Sequence, residues 1–418
     1  MPHPALHLAV EIDGDGAHPA AWRRAAHRPG ELLTPRRVAK VAAVAENSGF
    51  TLVTLDDGIL PPASAAAGGP AGRLGAVERA AFVAASTSVL GVAPVVATTY
   101  AEPFHVSTRL ASLDHVSSGR AGWVVGVEEG PDAARAWGRP PVEGASALRR
   151  EALDGLRVVR DLWDSWEDDA VIRSVATSRY LDRGRLHPID FTGETYSVKG
   201  PAIVPRPPQG RPVVLAPAGL VPPELVDVAL VEGTSPALLG EAAAASGAPL
   251  AFAEIEVALD TPDEPAAERI GDLERYAAWE AAPGQPSGRL RYTGSAAGLA
   301  DLLEELSDVV DGVRLHPLVL DEDLAVLSRL VLPELFVRRV AARPLPGTTL
   351  RTALGLPRPE SRFTTAPPAT RTTPGASATP AAPATPATPT ASAASAASAA
   401  SAASAKGILS TVAPEGNR

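Results

Sequence analysis

The segment TTYAEPFHVSTRLASLDHVSSGRAGW, Thr98 to Trp123, has the clearest structural pattern in the chain. It follows a short apolar run, 91–97, that is typical of a buried strand. Pro103 then opens a predicted helix that extends to Ser117, because proline is favoured in the first helical turn. The apolar stretch Arg120–Val127 predicts the next strand. A strand, a helix and a second strand in direct succession indicate a parallel βαβ unit.

The same alternation continues on both sides of this segment. The predicted strands are His7–Ile12, Phe50–Leu55, Gly91–Ala97, Arg120–Val127, Pro212–Ala216, Leu225–Val231, Leu250–Leu259 and Gly312–Val319. The predicted helices are Thr34–Ser48, Ala76–Leu90, Pro103–Ser117, Leu148–Trp163, Ala266–Trp279, Ala296–Leu306 and Leu324–Val340. This α/β pattern, with no G-x-G-x-x-G after the first strand, favours a (β/α)8 TIM barrel over an open doubly wound sheet.

Two segments interrupt the alternation. Residues 165–211 have almost no helical periodicity and are too long for an ordinary connection, so they are predicted to form an insertion before the fifth strand. From residue 364 the chain is rich in Pro, Ala, Ser and Thr. Such a sequence has too few large apolar side chains to offset its ordering entropy, so 364–418 is predicted to be a disordered tail. Residues 1–363 then form one barrel domain.

Composition excludes several classes of function. The formal net charge is -10 and the chain has no cysteine. An acidic balance argues against nucleic-acid binding, and the absence of cysteine excludes disulfides and thiolate chemistry. The histidines lack metal-ligand spacing, so no metal site is expected. No apolar run reaches the roughly 18 residues of a membrane span, and no basic segment precedes the first apolar stretch. A cytoplasmic location is therefore expected.

Five segments, in this order, resemble a known family. They are GAHPAAWRR (16–24), FTLVTLDDG (50–58), the segment Thr98–Trp123, LWDSWEDDA (162–170) with the sequence that follows it to Gly210, and TTLRTALGLPRP (348–359). Together they are similar to the bacterial luciferase-like flavin-dependent monooxygenases, in particular the nitrilotriacetate and dibenzothiophene-sulfone monooxygenase branch. The resemblance implies reduced FMN from a separate flavin reductase, dioxygen, a small organic substrate and a homodimer.

The resemblance also implies which residues form the site, although it identifies no catalytic residue. The expected cofactor-binding residues are Asp56, Thr98, Thr99, Arg149, Arg150, Ala218 and Gly219. The expected substrate-pocket residues are His18, Trp22 and His105. Each has a structural alternative: the DDG sequence at Asp56 is equally typical of a turn and helix cap. Charged residues in LDHVSSGR are interpreted as a structural turn at the opposite end of the barrel.

The chain departs from the family pattern where flavin is expected to bind. Val124–Val127 replaces an Asn-x-x-Thr-Ser sequence on the fourth strand, and Arg149 replaces a tyrosine at the flavin phosphate. After the fifth strand a serine is missing and prolines intrude, so the fifth helix is predicted to be largely absent. Two alternatives to a two-component monooxygenase therefore stay open: a cofactor-free barrel that acts as a partner subunit or binding protein, and a dehydrogenase that uses the deazaflavin F420.

Overall fold

The computed structural model describes residues 5–62, 69–70, 72–277 and 288–363. Its N-terminal half alternates strands and helices as the sequence predicts. The elements are β1 (His7–Glu11), α1 (Pro35–Ser48), β2 (Leu52–Leu55), α2 (Ala76–Ser86), β3 (Gly91–Ala97), α3 (Pro103–Val116), β4 (Gly122–Gly126), α4 (Pro131–Trp137) and α5 (Ala145–Asp164). Of these, only the short helix α4 was not predicted.

The insertion after α5 contains two small hairpins. They are formed by β5 (Val171–Ser174) with β6 (Arg179–Leu181), and by β7 (Phe191–Thr192) with β8 (Ser197–Val198). The chain then continues with β9 (Val213–Pro217), β10 (Val228–Val231), α6 (Pro236–Ser246), β11 (Leu250–Leu259), α7 (Ala266–Ala277), β12 (Leu290–Gly294), α8 (Ala296–Leu306), β13 (Gly312–Pro317), α9 (Leu320–Val326), α10 (Leu332–Arg338) and α11 (Leu350–Ala353).

The large sheet closes on itself. Its strand order is β10-β9-β4-β3-β2-β1-β13-β11-β12, and β10 also pairs with β11, so eight parallel strands form a ring. The predicted TIM barrel is confirmed, and the eight predicted strands are those of the ring. The unpredicted strand β12 pairs with Ile255–Leu259, beyond the part of β11 that β10 contacts.

Alternating side chains divide the barrel strands between an inner and an outer face. Residues from different strands, including Ala9, Leu52, Leu215 and Phe252, form one buried cluster that fills the barrel interior. The neighbouring residues in sequence, such as Val10 and Val53, belong to the larger cluster between the sheet and the helices. The barrel is therefore a packed core along most of its length, and the carboxyl ends of its strands form the mouth, where the sites of this fold usually lie.

Local signals explain where helices begin and end. Pro35 occupies the first turn of α1, and Gly49 ends the helix with φ +95°, a conformation that glycine adopts without steric cost. Thr34 precedes α1 as predicted, but its hydroxyl donates to the Glu31 carbonyl and does not cap the helix. The predicted helix Leu324–Val340 is divided by a π turn, Leu327–Val331, between α9 and α10.

The connection from β9 to β10 contains only a 3₁₀ turn, Pro223–Leu225. This confirms that the fifth helix of the barrel is absent. Strand β10 starts three residues later than predicted, because that turn occupies its expected beginning. The predicted tail, residues 364–418, and the last residues of the predicted helix 266–279 lie outside the described residues. No helix in the described ranges has the length and apolar character that crossing a membrane requires.

The LDHVSSGR turn is structural, as the sequence analysis proposed. The carboxylate of Asp114 is buried and accepts hydrogen bonds from the backbone N–H of Ala121 and from Gln209. The Arg120 guanidinium donates to four backbone carbonyl groups, among them Leu90 at 2.7 Å. These contacts lie where α3 returns to the start of β4, at the end of the barrel opposite the mouth.

Candidate functional site

The carboxyl ends of the ring strands surround a mouth cavity of about 430 Å³. One side of this cavity is apolar and is lined by Val95, Val124 and Leu230, from β3, β4 and β10. The opposite side carries charged groups, among them Asp56 and Arg314. The cavity therefore presents an apolar wall to one face of a bound molecule and a polar surface to another.

A buried ionic group, here called the Arg314 cluster, forms the floor on the charged side. It consists of Glu11, Thr54, Glu254, Arg314 and His316. The Arg314 guanidinium lies 2.6 Å from the Glu11 carboxylate and 3.3 Å from Glu254, and its Nε donates to the Thr54 hydroxyl at 2.9 Å. His316 Nε2 lies 2.9 Å from Glu254. All five residues come from adjacent strands of the ring, so the cluster ties those strands together inside the mouth.

The charge of Arg314 outweighs the cost of burying the two carboxylates. Burial alone would raise the pKa of Glu11, but Arg314 and His316 more than compensate, and the pKa is lowered. The same balance holds the pKa of Glu254 well below its usual range. Both groups are therefore ionised at neutral pH, and Arg314 is the cation that keeps them so.

The residues of the Arg314 cluster were not among those expected from the sequence. Its signal lies in FAEIEV and VRLHP, where Glu254 and Glu256 on one strand and Arg314 and His316 on another are spaced two apart. Residues two apart in a strand share a face. The register pairs Glu254 with Arg314, which brings these opposite charges together, and it places His316 beside Glu256 on the same face.

Asp56 lies at the end of β2 and borders the mouth cavity, where the resemblance placed it. Its side chain is 54% exposed and lies 3.3 Å from Arg73. The surrounding loops still remove part of the water around this half-exposed carboxyl group, and that desolvation, together with the charges of Glu11 and Asp13, raises its pKa to about 6. The neighbouring Asp57 performs the alternative role, since its carboxylate accepts from the backbone N–H of Ala76 at the start of α2.

Thr98 and Thr99 are buried, and other protein groups occupy their hydroxyls. The Thr98 hydroxyl donates to the Gly126 carbonyl at 3.1 Å. The Thr99 hydroxyl accepts from the backbone N–H of Glu128 at 2.6 Å and donates to its carbonyl. The two threonines therefore clamp the end of β3 to the end of β4, and neither borders the mouth cavity.

The two arginine candidates for a phosphate site differ in availability. Both are exposed in the first turns of α5. Arg150 forms an ion pair of 2.7 Å with Glu194 of the insertion. No described residue forms an ion pair or hydrogen bond with Arg149. Of these two arginines, Arg149 is therefore the one whose guanidinium is not committed to another described residue.

The backbone candidates after β9 differ in the same way. The Ala218 N–H donates to the Leu230 carbonyl at 2.9 Å, so the expectation that this amide is available for a phosphate is wrong. Gly219 is the next residue of a turn, in which the Leu220 N–H donates to the Pro217 carbonyl at 3.1 Å. Its φ is +76° and no atom lies within 4 Å of where a Cβ would stand. Of the two amides, only that of Gly219 has no backbone acceptor among the described residues.

His18 and Trp22 line one small cavity, of about 200 Å³, formed by the loops that follow β1 and β2; we call it the loop pocket. Burial and the nearby charge of Arg291 lower the pKa of His18 to about 4, so its imidazole is neutral at pH 7. Its Nδ1 accepts from the backbone N–H of Ala20 at 3.0 Å. The two residues therefore lie together, as the resemblance implied.

His105 lies apart from that pair. It is exposed in the first turn of α3 and borders a different cavity, of about 280 Å³, together with Glu128 and Trp137. The Trp137 indole N–H donates to the Glu128 carboxylate at 2.6 Å. His105 therefore shares no cavity with His18 and Trp22.

The mouth fits the ring system of a flavin better than it fits the phosphate. Val95, Val124 and Leu230 offer the apolar surface that a planar ring system requires. Arg149 and the amide of Gly219 are the uncommitted groups for a phosphate. The threonine hydroxyls and the Ala218 amide contribute nothing to a ligand in this arrangement. In the described ranges no group of acidic and histidine side chains is placed to hold a metal ion.

Comparison with known proteins gives a consistent result. The family described as luciferase-like monooxygenase matches residues 17–281. The dibenzothiophene-sulfone monooxygenase of Rhodococcus erythropolis (strain XP) is 33% identical over 228 residues, which are 52% of this chain and 50% of that protein. One of the subunits of the pristinamycin IIA synthase of Streptomyces pristinaespiralis is 32% identical over 243 residues, 58% of this chain and 76% of that protein.

A solved structure shows the same fold. The long-chain alkane monooxygenase structure superimposes with a TM-score of 0.73 and 21% identity, and covers 84% of this chain and 96% of that one. The chain spans about half the length of the first curated relatives it matches. The matched part is 47% of one relative and 50% of another.

Proposed function

The chain belongs to the luciferase-like monooxygenase family, whose members are flavin-dependent enzymes, and we propose that it is the oxygenase component of a two-component monooxygenase. In this proposal a separate flavin reductase supplies reduced FMN, dioxygen is the oxidant, and the substrate is a small organic molecule. The observation that carries the proposal is the mouth cavity, where the apolar wall of Val95, Val124 and Leu230 faces the Arg314 cluster. Such cavities at the carboxyl ends of barrel strands are the usual site of chemistry in this fold.

The proposal assigns roles to residues of this chain. Val95, Val124 and Leu230 hold the flavin ring, and Arg149 with the Gly219 amide holds the phosphate. Asp56 contributes a carboxyl group at the edge of the same cavity. When bound, reduced flavin supplies the electrons that activate dioxygen. Thr98 and Thr99 act indirectly, because their hydrogen bonds fix the end of β3 against β4.

The test is equilibrium binding of oxidised FMN and, without oxygen, of reduced FMN, followed by fluorescence. Arg149→Ala and Arg150→Ala are a matched pair, since both arginines are exposed in the same helical turn but only Arg150 is held by Glu194. Loss of a charge-assisted hydrogen bond weakens binding by about tenfold or more. We expect that loss for Arg149→Ala and little change for Arg150→Ala. Equal effects of the two substitutions would contradict the assigned phosphate site.

The same titration distinguishes FMN from F420 as the cofactor. Preference for the reduced deazaflavin F420 over reduced FMN would replace the monooxygenase proposal with a dehydrogenase. The homodimer and the cytoplasmic location expected from the sequence also belong to this proposal. Size-exclusion chromatography with light scattering measures the first, and fractionation of the source cells measures the second.

A second candidate function is a partner subunit that binds no flavin. The observations that favour it are the occupied hydroxyls of Thr98 and Thr99, the occupied amide of Ala218 and the missing fifth helix. The pristinamycin IIA synthase relative is itself named as one subunit of an enzyme. This candidate requires that the folded chain binds no flavin alone and forms a stable complex with a flavin-binding barrel of the same family. Co-purification with such a chain, together with a flat flavin titration, would support it.

A further inference from the structure

The mouth cavity has charged side chains on one side only. Its lining from β3 and β4 consists of Val95, Val124, Val125 and Gly126, whose side chains form no hydrogen bonds. A ring that lies against this wall must therefore find its side-chain hydrogen bonds among the charged residues across the cavity. In the described part of the chain these are Asp56, Glu232, Glu254, Arg289 and Arg314.

Three of the five charged residues already have partners. Glu254 and Arg314 belong to the Arg314 cluster, where both are buried and lie 3.3 Å apart. Asp56 forms an ion pair of 3.3 Å at the edge of the cavity. Arg289 and Glu232 remain, and neither forms a hydrogen bond with another described residue.

The strand register places Arg289 on the inner face of the barrel. Leu290, the first residue of β12, pairs with Ile255 of β11, so Arg289 lies beside Glu254. Cross-strand neighbours share a face of the sheet, and Glu254 belongs to the floor of the mouth. The Nε atom of Arg289 lies 3.3 Å from the Glu254 carboxylate, which holds the guanidinium at the cavity.

Glu232 reaches the same cavity from the adjoining strand. It follows Leu230 of the apolar wall by two residues, and residues two apart in a strand share a face. Its carboxylate lies 3.8 Å from the Nε atom of Arg289. Both side chains are accessible, since that of Glu232 is 52% exposed and that of Arg289 is 29% exposed. A donor group and an acceptor group therefore lie side by side, where a bound molecule can contact both.

An adjacent cation and carboxylate recognise a neutral group that carries an acceptor next to a donor. The imide edge of a ring, O=C–N–H, is such a group, because its oxygen accepts from a guanidinium and its N–H donates to a carboxylate. The pyrimidine ring of a flavin has this edge at C2, N3 and C4. A simple amine or carboxylate would match only one member of the pair.

We propose that Arg289 and Glu232 recognise the imide edge of the flavin, with Arg289 donating to a ring carbonyl and Glu232 accepting from the N3–H group. This inference rests on the proposed function, because it assigns to the flavin ring the hydrogen bonds that the apolar wall of the mouth lacks. The ring is then recognised by residues other than those proposed for the phosphate.

The experiment compares FMN with 3-methyl-FMN, in which a methyl group replaces the hydrogen on N3. Both flavins are titrated in their oxidised form into the full chain, and binding is followed by flavin fluorescence. The variants are Arg289→Ala and Glu232→Ala. Glu241→Ala is the matched control, because Glu241 is also an exposed glutamate but does not line the mouth cavity.

We expect the native chain to bind FMN about tenfold or more tightly than 3-methyl-FMN, because the methyl group removes a hydrogen bond to a charged acceptor. Glu232→Ala should weaken FMN binding and remove most of that difference. Arg289→Ala should weaken both flavins by about tenfold and keep the difference, and Glu241→Ala should change neither. If Arg289→Ala does not fold, the exposed Glu232 still provides the decisive variant.

Two results would overturn the inference: equal affinity of the native chain for the two flavins, or a difference that Glu232→Ala leaves unchanged. If FMN binds and either result is found, the proposed function stands and the imide edge recognised by this pair belongs to another ligand, such as the substrate. If the folded native chain binds neither flavin, the proposed function fails and this inference fails with it. The two failures are thus distinguished in one titration.

Discussion

Replacing Arg314 with methionine should destabilise the barrel strongly, because the Arg314 cluster contains two buried carboxylates that depend on this cation. Arg314 is buried, and it lies 2.6 Å from Glu11 and 3.3 Å from Glu254. Methionine fills much of the same volume and removes only the charge and the donors. The substitution therefore isolates the electrostatic contribution of the guanidinium.

The expected magnitude follows from what each carboxylate retains. Breaking a buried ion pair by removing one partner costs about 3–5 kcal/mol. Glu254 would keep His316 at 2.9 Å and Arg289 at 3.3 Å, whereas Glu11 would lose its cation and keep two neutral donors, the Thr54 hydroxyl and the Asp56 backbone N–H. Glu11 thus loses most of the interactions that stabilise its charge, and Glu254 loses only part of them. We therefore expect the free energy of unfolding to fall by about 3 kcal/mol, the lower end of that range.

The deficit should depend on pH. In the native protein the pKa values of Glu11 and Glu254 are lowered, so their stabilisation is present above the unfolded-state pKa and is lost only in strong acid. Without Arg314, burial raises the pKa of Glu11. Protonation then relieves the unpaired charge as pH falls. The free-energy difference between Arg314→Met and the native protein should therefore shrink from pH 8 to pH 5.

Urea unfolding followed by circular dichroism at both pH values measures this difference. Arg135→Met is the control, because Arg135 and its partner Asp132 are 77% and 69% exposed, and such surface pairs contribute about 0–1 kcal/mol. Adding Glu11→Gln to Arg314→Met should recover part of the loss. The reasoning is refuted if Arg314→Met costs no more than the control, or if the double variant is less stable than the single one.

Three further predictions concern stability and use the same urea assay. Desolvation and the neighbouring carboxylates hold the pKa of Asp56 at about 6, above the value of 3.8 in an unfolded chain, so its ionised form opposes folding at high pH. Asp56→Asn should therefore be about 1 kcal/mol more stable than the native protein at pH 8, and this advantage should disappear at pH 4. Gly312→Ala would place a Cβ 2.5 Å from the Phe252 ring and should lower the free energy of unfolding by about 1–3 kcal/mol. Gly271→Ala, whose added Cβ would have no atom within 4 Å, should raise it by about 0.5–1 kcal/mol. Thr99→Val removes the hydroxyl that holds Glu128 and should cost about 1–3 kcal/mol, and an unchanged midpoint would show that the β3–β4 clamp is unnecessary.

Much of the fold could be predicted because ring strands are buried on both faces. They appear as short apolar runs between helices whose ends are marked by residues such as Pro35 and Gly49. The barrel was predicted correctly on this basis. The family was predicted correctly from its five motif segments, and the missing fifth helix from the prolines that follow the fifth strand. Strand β12 and the hairpins of the insertion were missed, since they are short and half-exposed and their sequences lack a strong alternating pattern.

The candidate site was only partly predictable. Asp56 borders the mouth cavity because the carboxyl ends of parallel strands converge there, and its role in cofactor binding stays a prediction. The Arg314 cluster was missed, since pairing Glu254 with Arg314 requires the register between β11 and β13, which a single sequence does not contain. The availability of Thr98, Thr99 and the Ala218 amide likewise depends on partners across strands, and the structure shows that those partners already occupy them.

The central claim is that the barrel mouth binds reduced flavin, and anaerobic calorimetric titration of the folded chain with reduced FMN tests it most directly. The account expects saturable binding of one FMN per chain, weakened about tenfold or more by Arg149→Ala and unchanged by Arg150→Ala. The absence of any binding heat or flavin retention by a chain with a native circular dichroism spectrum would contradict the claim. That result would leave the flavin-free partner subunit as the function of this barrel.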